Sequence, residues 1–385
     1  MRPKNESARE SVGRLARKET KVTLHFDPQH PYNSLPALPP QQVELETKAV
    51  LKQTTAASRA LAELKGAGNL IPNQAVLVRT IGLQEAKLSS EIESIVTTND
   101  ELYRAFAGES DRTDPATKEV LRYNDALWHG IDQIKSGRLL GTSLFEEIVQ
   151  IIKQNSAGVR RMSGTKIVND KTGTVIYTPP EGEGIIRDKL AALEQFIHTD
   201  DGIDPLVKMA AVHYQFEAIH PFSDGNGRTG RILNILYLIH KQLLDVPVLY
   251  LSRYIIENKG KYYAGLRRVT AEGDWENWTL FLLRAIEETA LATHLRIQKI
   301  RTLMQETSQQ VKDKLPRIYR PDLMEVLFAQ PYCKIAFLEA AGIAKRDAAS
   351  KYLRQLSELG VLSPRISVGR EVYYLNKPFF DLLIN

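Results

Sequence analysis

Residues His220-Pro221-Phe222-Ser223-Asp224-Gly225-Asn226-Gly227-Arg228-Thr229-Gly230-Arg231 bring together the groups needed to handle a phosphorylated substrate. The first-turn amides of a helix have no acceptor within the helix. Glycine permits the left-handed angles that turn successive N–H groups toward one point, so a Gly-rich turn feeding a helix is an anion site. Arg228 and Arg231, three apart, add two guanidinium forks for further phosphate oxygens. Asp224 is the nearby hard carboxylate that Mg²⁺ recruits beside a polyphosphate, and His220 can titrate near neutral pH. In-line attack on phosphorus needs positioning, neutralised charge and a base near the incoming hydroxyl, and each has a candidate here.

The elements flanking the turn follow from patterning. Asp204 and Pro205 cap a helix in which Leu206, Met209, Ala210, His213 and Phe216 recur along one expected buried face, and Pro221 ends it. Residues 232–240 are apolar enough for a buried helix.

These residues resemble the signature of the Fic family, His-Pro-Phe-x-(Asp/Glu)-Gly-Asn-Gly-Arg-x-x-Arg, with every fixed position matched. The resemblance implies transfer of AMP from ATP to a protein Tyr, Thr or Ser hydroxyl. Carried over by position, His220 is the general base, Asp224 the Mg²⁺ ligand and Phe222 a core anchor for the loop. Asn226 and the amides of Gly225 and Gly227 hold the α-phosphate, and Arg228 and Arg231 hold the β- and γ-phosphates. Thr229 and Gly230 complete the nucleotide-binding set. In the related Doc branch a Lys replaces the second glycine and phosphate is transferred; Gly227 here favours adenylyl transfer.

Upstream, Ser89-Ser90-Glu91-Ile92-Glu93-Ser94 is similar to the family's inhibitory motif, (Ser/Thr)-x-x-x-Glu-(Gly/Asn). Ser89 and Glu93, four apart, share a helical face. The resemblance implies that Glu93 pairs with Arg231 in the γ-phosphate position and blocks productive ATP binding. The same carboxylate could instead orient a water for removing AMP. Ser94 departs from the usual Gly/Asn and leaves the local backbone open.

β-prone runs at Lys166-Ile167-Val168 and 174–177, separated by turn residues at 169–173, predict a hairpin. In the family such a flap clamps the target's hydroxyl-bearing segment by strand-like pairing. After the signature, Tyr250, Tyr262 and Tyr263 include a Tyr-Tyr-x-x-Leu pattern often found there in the family. They are candidates to pack the adenine, with Tyr262 and Tyr263 assigned to the nucleotide site. Trp275, Trp278 and Phe281 read as the core of a closing helix that continues to about Met304.

With 385 residues, 43% hydrophobic and 25% charged, the chain can bury a sizeable core in two or three domains. One cysteine, Cys333, excludes an intramolecular disulfide framework or a cysteine-rich zinc site and fits a reducing cytoplasm, the expected compartment. Residues 1–21 lack the apolar core of a secretory signal, and no apolar run approaches a membrane span. Residues 301–385 hold 13 Lys and Arg against 9 Asp and Glu, and residues 1–21 hold 7 against 3, so the middle of the chain is slightly acidic.

Prolines at 31, 36, 39 and 40 predict an extended arm over residues 1–40 whose end wraps on the body. Helices are expected at 43–64, stopped by Gly66, and at 73–94, 118–134 and 143–155. Helices at 322–329, 334–341 and 345–359, then a β-hairpin turning at Gly369, resemble a winged helix-turn-helix. Lys345, Arg346, Lys351, Arg354, Arg365 and Arg370 could meet DNA phosphates there, while contact with a protein stays open.

The expected fold is mainly α: a Fic helical bundle with a β-hairpin flap, plus a small C-terminal winged helix-turn-helix (α+β) domain. The expected division is an arm and helices including the inhibitory helix (1–115), a catalytic core (116–304) and the C-terminal domain (305–385). The implied partners are ATP with Mg²⁺ and a hydroxyl-bearing target protein, with DNA and a homodimer left open and no membrane. The competing reading is a nucleotide-sensing, DNA-binding regulator with little transferase chemistry.

Overall fold

The computed structural model describes residues 26–41, 43–68, 74–108, 113–156, 158–169, 172–368 and 371–385. Residues 1–25 of the expected arm, and Gly369 and Arg370 of the expected C-terminal turn, lie outside them. The chain is mainly helical, as its patterning implies, with two small antiparallel sheets. No helix among the described residues is long and apolar enough to cross a membrane.

Ahead of the helix that leads into the Gly-rich turn, the described residues form α1 (Lys48–Gly68), α2 (Gln74–Ile92), α3 (Asn99–Phe106), α4 (Pro115–Lys135), α5 (Thr142–Lys153) and α6 (Glu183–His198). The first begins later than expected because Thr47 accepts a hydrogen bond from the Val50 amide (3.3 Å) and so sets its start, and it runs through Gly66. Helix α3 escaped the sequence reading although its signal was present. Thr98 and Glu101 form a capping box in which each side chain satisfies the other's backbone amide. Between α5 and α6 lies a hairpin of β1 (Ile167–Val168) and β2 (Val175–Tyr177), with Ile167 opposite Tyr177 and Val168 opposite Val175.

Helix α7 (Pro205–Ile219) runs through the centre, capped by Asp204, which accepts from the Leu206 amide at 2.8 Å. The expectation of one buried face fails here. Its buried residues run almost without a break from Leu206 to Ile219, because α1, α6, α8 (Asn226–His240) and α11 (Trp275–Lys314) surround it. Polar groups on such a helix need internal partners. His213 bonds the Tyr262 hydroxyl at 2.9 Å, and Trp278 donates to the Ala210 carbonyl at 2.8 Å.

Helices α9 (Leu251–Glu257) and α10 (Lys259–Glu272) return the chain beside the turn. Helix α11 passes the expected end near Met304 and continues to Lys314, with Val311 still buried, so the expected boundary at 304 falls inside one helix. Beyond it come α12 (Pro321–Ala329), β3 (Tyr332–Cys333), α13 (Ile335–Ala340), α14 (Arg346–Glu358), β4 (Ile366–Val368), β5 (Glu371–Leu375) and α15 (Lys377–Ile384). The three strands order as β3-β5-β4, all antiparallel. The short β3 and the closing α15 were not expected from the pattern.

Candidate active site

The turn between α7 and α8 is built by backbone geometry that the sequence dictates. His220 ends α7 in the left-handed region (φ 49°), its amide still donating to the Phe216 carbonyl at 3.0 Å. Gly225 begins α8 at φ 84°, a conformation that costs other residues strain, and offers no side-chain acceptor to the first helical amides. Asn226 closes the loop from within. Its Oδ1 accepts from the Phe222 amide (2.8 Å) and its Nδ2 donates to the Phe222 carbonyl (2.7 Å), so its side chain fastens the turn. Phe222 is buried against Phe216, the anchor role expected of it. Thr229 is fully buried and Gly230 is packed against Glu217 and Phe216.

Arg231, fully buried, is held by three contacts with the end of α2 and the residue that follows it. Its Nε donates to Ser89 Oγ (2.7 Å), and its Nη2 donates to the Ser89 carbonyl (2.9 Å) and to Glu93 Oε1 (2.8 Å). The contact expected between Glu93 and Arg231 is present as geometry, and Ser89, one helical turn before Glu93, bonds the same guanidinium, which the pattern alone did not foretell. Burial opposes ionisation of Glu93, but Arg231, with Arg228 and Lys259, holds the carboxyl below its ordinary range. The carboxylate lies directly over Gly227, where any side chain would collide with it. Ser94 stands at φ 65°, the left-handed region that Gly or Asn adopts with less strain, which accounts for the residue types usual at this position.

The second arginine has partners the sequence did not reveal. Arg228 donates to Glu119 at 2.6 Å, Lys153 bonds the same carboxylate oxygen at 3.0 Å, and Lys153 also reaches Asp224 at 2.6 Å. Arg228 Nε, buried, has no hydrogen-bond partner. Asp224 is 61% exposed at the mouth of the site. Burial raises its pKa, but Lys153, Arg228 and the Gly225 amide together leave it below the usual carboxylate range.

Of these groups Glu93, His220, Gly227 and Arg231 line a cavity of about 530 Å³, whereas Asp224, Gly225, Asn226 and Arg228 do not. Its lining joins the charged groups Glu93, Glu217 and Arg231 and the His220 ring to the aromatic rings of Phe26, Tyr177, Tyr262 and Tyr263. The hairpin contributes Ile167, Asn169, Ile176 and Tyr177, and the Tyr177 hydroxyl ties it to α7 through the Ala218 carbonyl (2.7 Å). Lys166 and Val168 are exposed on the outer strand. Tyr262 is buried at the cavity floor and Tyr263 is 44% exposed at its wall, whereas Tyr250 is buried and does not line it.

Burial, and then the neighbouring Arg160, push the His220 imidazole down to about 4, against smaller opposing effects of the Glu217 carbonyl, Glu93 and Asp224. The ring is thus a neutral base at physiological pH. Arg160, missed from the sequence, holds the whole corner. Its Nε donates to the His220 carbonyl (2.8 Å), its Nη2 to the Pro180 carbonyl, and its amide to the Pro221 carbonyl (2.9 Å). Glu217, also unforeseen, lines the cavity with one buried oxygen lacking a partner, and burial raises its carboxyl to about 7.

Among the described residues, no group of three or more His, Cys, Asp or Glu side chains could hold a metal ion. Asp224 alone fits the way Mg²⁺ is bound beside polyphosphates, through one or two carboxylates with phosphate oxygens and water completing the shell.

Comparison with known proteins agrees with this geometry. Models of the Fic/DOC family N-terminal region, the Fic/DOC family and the C-terminal domain of SoFic-like protein adenylyltransferase match residues 51–132, 139–238 and 303–379. A protein adenylyltransferase fic-1 of Caenorhabditis briggsae is 32% identical over 92 residues, 23% of this chain and 17% of that protein. Protein adenylyltransferase Fic of Nematostella vectensis is 24% identical over 203 residues, 51% of this chain and 45% of that one. The matched stretches thus span less than half the length of these curated relatives. A crystal structure of a Fic family protein from Desulfovibrio desulfuricans shares the fold, with a TM-score of 0.53 at 18% identity over 86% of this chain and 96% of that one. Signature turn, hairpin and Glu93-bearing helix all lie within or between the matched regions, and the chain belongs to the Fic/DOC family.

Proposed function

We propose that this chain is a protein adenylyltransferase that moves AMP from ATP to a hydroxyl side chain of a target protein and is held back by its own helix α2. The observation that carries the reading is the convergence of a neutral His220, an open helix N-terminus and Arg231 on one cavity, with Glu93 lying across Gly227. The triphosphate lies along the first turn of α8, with the Gly225 and Gly227 amides at the α-phosphate and Arg228 and Arg231 toward the β- and γ-phosphates. His220 takes the proton from the incoming hydroxyl. As the new oxygen–phosphorus bond forms on the α-phosphate, the bond to the β-phosphate oxygen breaks and pyrophosphate leaves. Mg²⁺ held by Asp224 would neutralise phosphate charge, which requires Lys153 to release that carboxylate. The strand Lys166-Ile167-Val168 presents its edge to the target segment.

The C-terminal helices and strands form a winged helix on this reading. Lys345, Arg346, Lys351 and Arg354 are exposed on and beside α14, which supports contact with duplex phosphates. DNA binding that weakens steeply with added salt is its expected signature.

Incubation of the full chain with labelled ATP and Mg²⁺ tests the central claim. Glu93→Gly raises protein labelling over wild type, and adding His220→Ala abolishes it. Absence of labelling in Glu93→Gly would instead favour a nucleotide-sensing regulator.

A further inference from the structure

The chain preceding α1 is pinned across the molecule. The Tyr32 amide donates to the Thr178 carbonyl (3.0 Å), Thr178 Oγ1 to the Pro28 carbonyl (2.6 Å), and the Glu181 amide to Asn33 Oδ1 (2.7 Å). Farther along, Lys189 donates to the Leu35 carbonyl (2.7 Å) and Gln215 to the Pro36 carbonyl (2.8 Å). Tyr32 and Leu35 are buried. At Phe26 the ring stacks on Tyr177 (centroids 5.8 Å apart, planes at 27°) and meets Tyr32 edge-on at 5.4 Å. Phe26 is thereby a wall of the active cavity, supplied from far outside the signature.

We infer that Phe26 is a nucleobase-contacting residue and that residues 26–36 are a strap completing the ATP site. This rests on the nucleotide-transfer reading above. The one cavity is lined both by Arg231 and the Gly227 turn and by the stacked rings of Phe26 and Tyr177, a mixture that suits a nucleoside triphosphate, a polyanion joined to a flat ring. Aromatic faces stack on bases without needing hydrogen-bond readout. An acceptor peptide fits this wall less well. Its hydroxyl must reach His220 from the exposed edge of β1, whereas Phe26 contacts Tyr177 on β2.

The test is calorimetric titration of the full chain carrying Glu93→Gly with Mg²⁺-ATP and, separately, with Mg²⁺ and inorganic tripolyphosphate, which lacks the base. Phe26→Ala weakens ATP binding about tenfold, within the range of single base–aromatic stacks, and leaves tripolyphosphate within about twofold. Phe26→Trp, which keeps an aromatic face, preserves ATP binding. Thr178→Val, which removes the bond to Pro28 but leaves the ring, weakens ATP in the same direction by less. Unchanged ATP affinity in Phe26→Ala overturns the inference. Equal weakening of ATP and tripolyphosphate also overturns it, since that marks a structural role. So does a raised KM for the acceptor protein with ATP affinity intact, which would place Phe26 in target docking. If the Glu93→Gly chain with Phe26 intact binds neither ligand, the nucleotide-site reading itself fails, a result distinct from any of these.

Discussion

Replacing Glu93 in two steps separates charge from bulk at the contact with Arg231. In Glu93→Gln the amide oxygen can still accept from Arg231 Nη2, now 2.8 Å from the carboxylate, but the negative charge is gone. Arg231 stays ionised, so its bond to the amide oxygen is still one to a charged group, about 1.5–3 kcal/mol, and what is lost is the ion-pair attraction, about 1–1.5 kcal/mol for a pair buried on the arginine side only. That amounts to about five- to tenfold easier displacement by a γ-phosphate, since 1.4 kcal/mol is tenfold. Glu93→Gly removes the whole bond, about 10- to 150-fold. Arg231 stays in place in both, because Ser89 Oγ and the Ser89 carbonyl still accept from it. The assay is initial-rate transfer of label from ATP at sub-saturating nucleotide, expected to rise from wild type through Gln to Gly. A Glu93→Gly rate within about twofold of wild type refutes the brake. A Gln variant as slow as wild type beside a fast Gly variant refutes the charge argument, leaving obstruction over Gly227 as the cause.

Transfer by Glu93→Gly should persist well below pH 6.5, the ordinary imidazole value, and fall only toward the depressed value of about 4 at His220; loss near pH 6.5 in a pH–rate profile would contradict this. The same depression stabilises the fold above the unfolded value of 6.5, a contribution lost as pH falls through about 4. Arg160→Gln breaks the guanidinium contacts to the His220 and Pro180 carbonyls and removes a cation beside the ring, so kcat falls about tenfold and the acid limb moves to higher pH. A drop in kcat with an unmoved limb would count against electrostatic coupling. Ser94→Gly relieves a left-handed residue at the end of α2, worth about 0.5–1 kcal/mol net of glycine's own flexibility. Basal self-labelling should drop about two- to fivefold, and a rise would show that the strain does not bear on the brake.

What the sequence made legible was local. The signature turn, the hairpin and the serine–glutamate pair four apart on α2 each declare themselves within a dozen residues, and the arm's prolines marked it as extended. What stayed hidden were partners brought in by tertiary packing: Glu119 to Arg228, Lys153 to Asp224, Arg160 to the His220 carbonyl, and Phe26 to Tyr177. No periodicity encodes such pairs. The one-face reading of α7 failed for the same reason, since its surroundings are set by helices before and after it. Helix α3, by contrast, was readable from Thr98 and Glu101.

Helix α2 is gripped on two sides. Toward the cavity it holds Arg231, and Glu85 on the same helix accepts from the Ser252 amide (3.1 Å) and hydroxyl. On its other side Thr80 donates to the Ala329 carbonyl of α12, and its neighbour α3 meets the C-terminal segment through Asp100 with Tyr332 and Tyr103 with Phe380. Helix α2 is therefore tied both to the cavity and to the C-terminal segment. A movement of the helix that draws Glu93 off Arg231 also strains the seam with the last sixty residues, so a load on those residues bears on the Glu93–Arg231 contact.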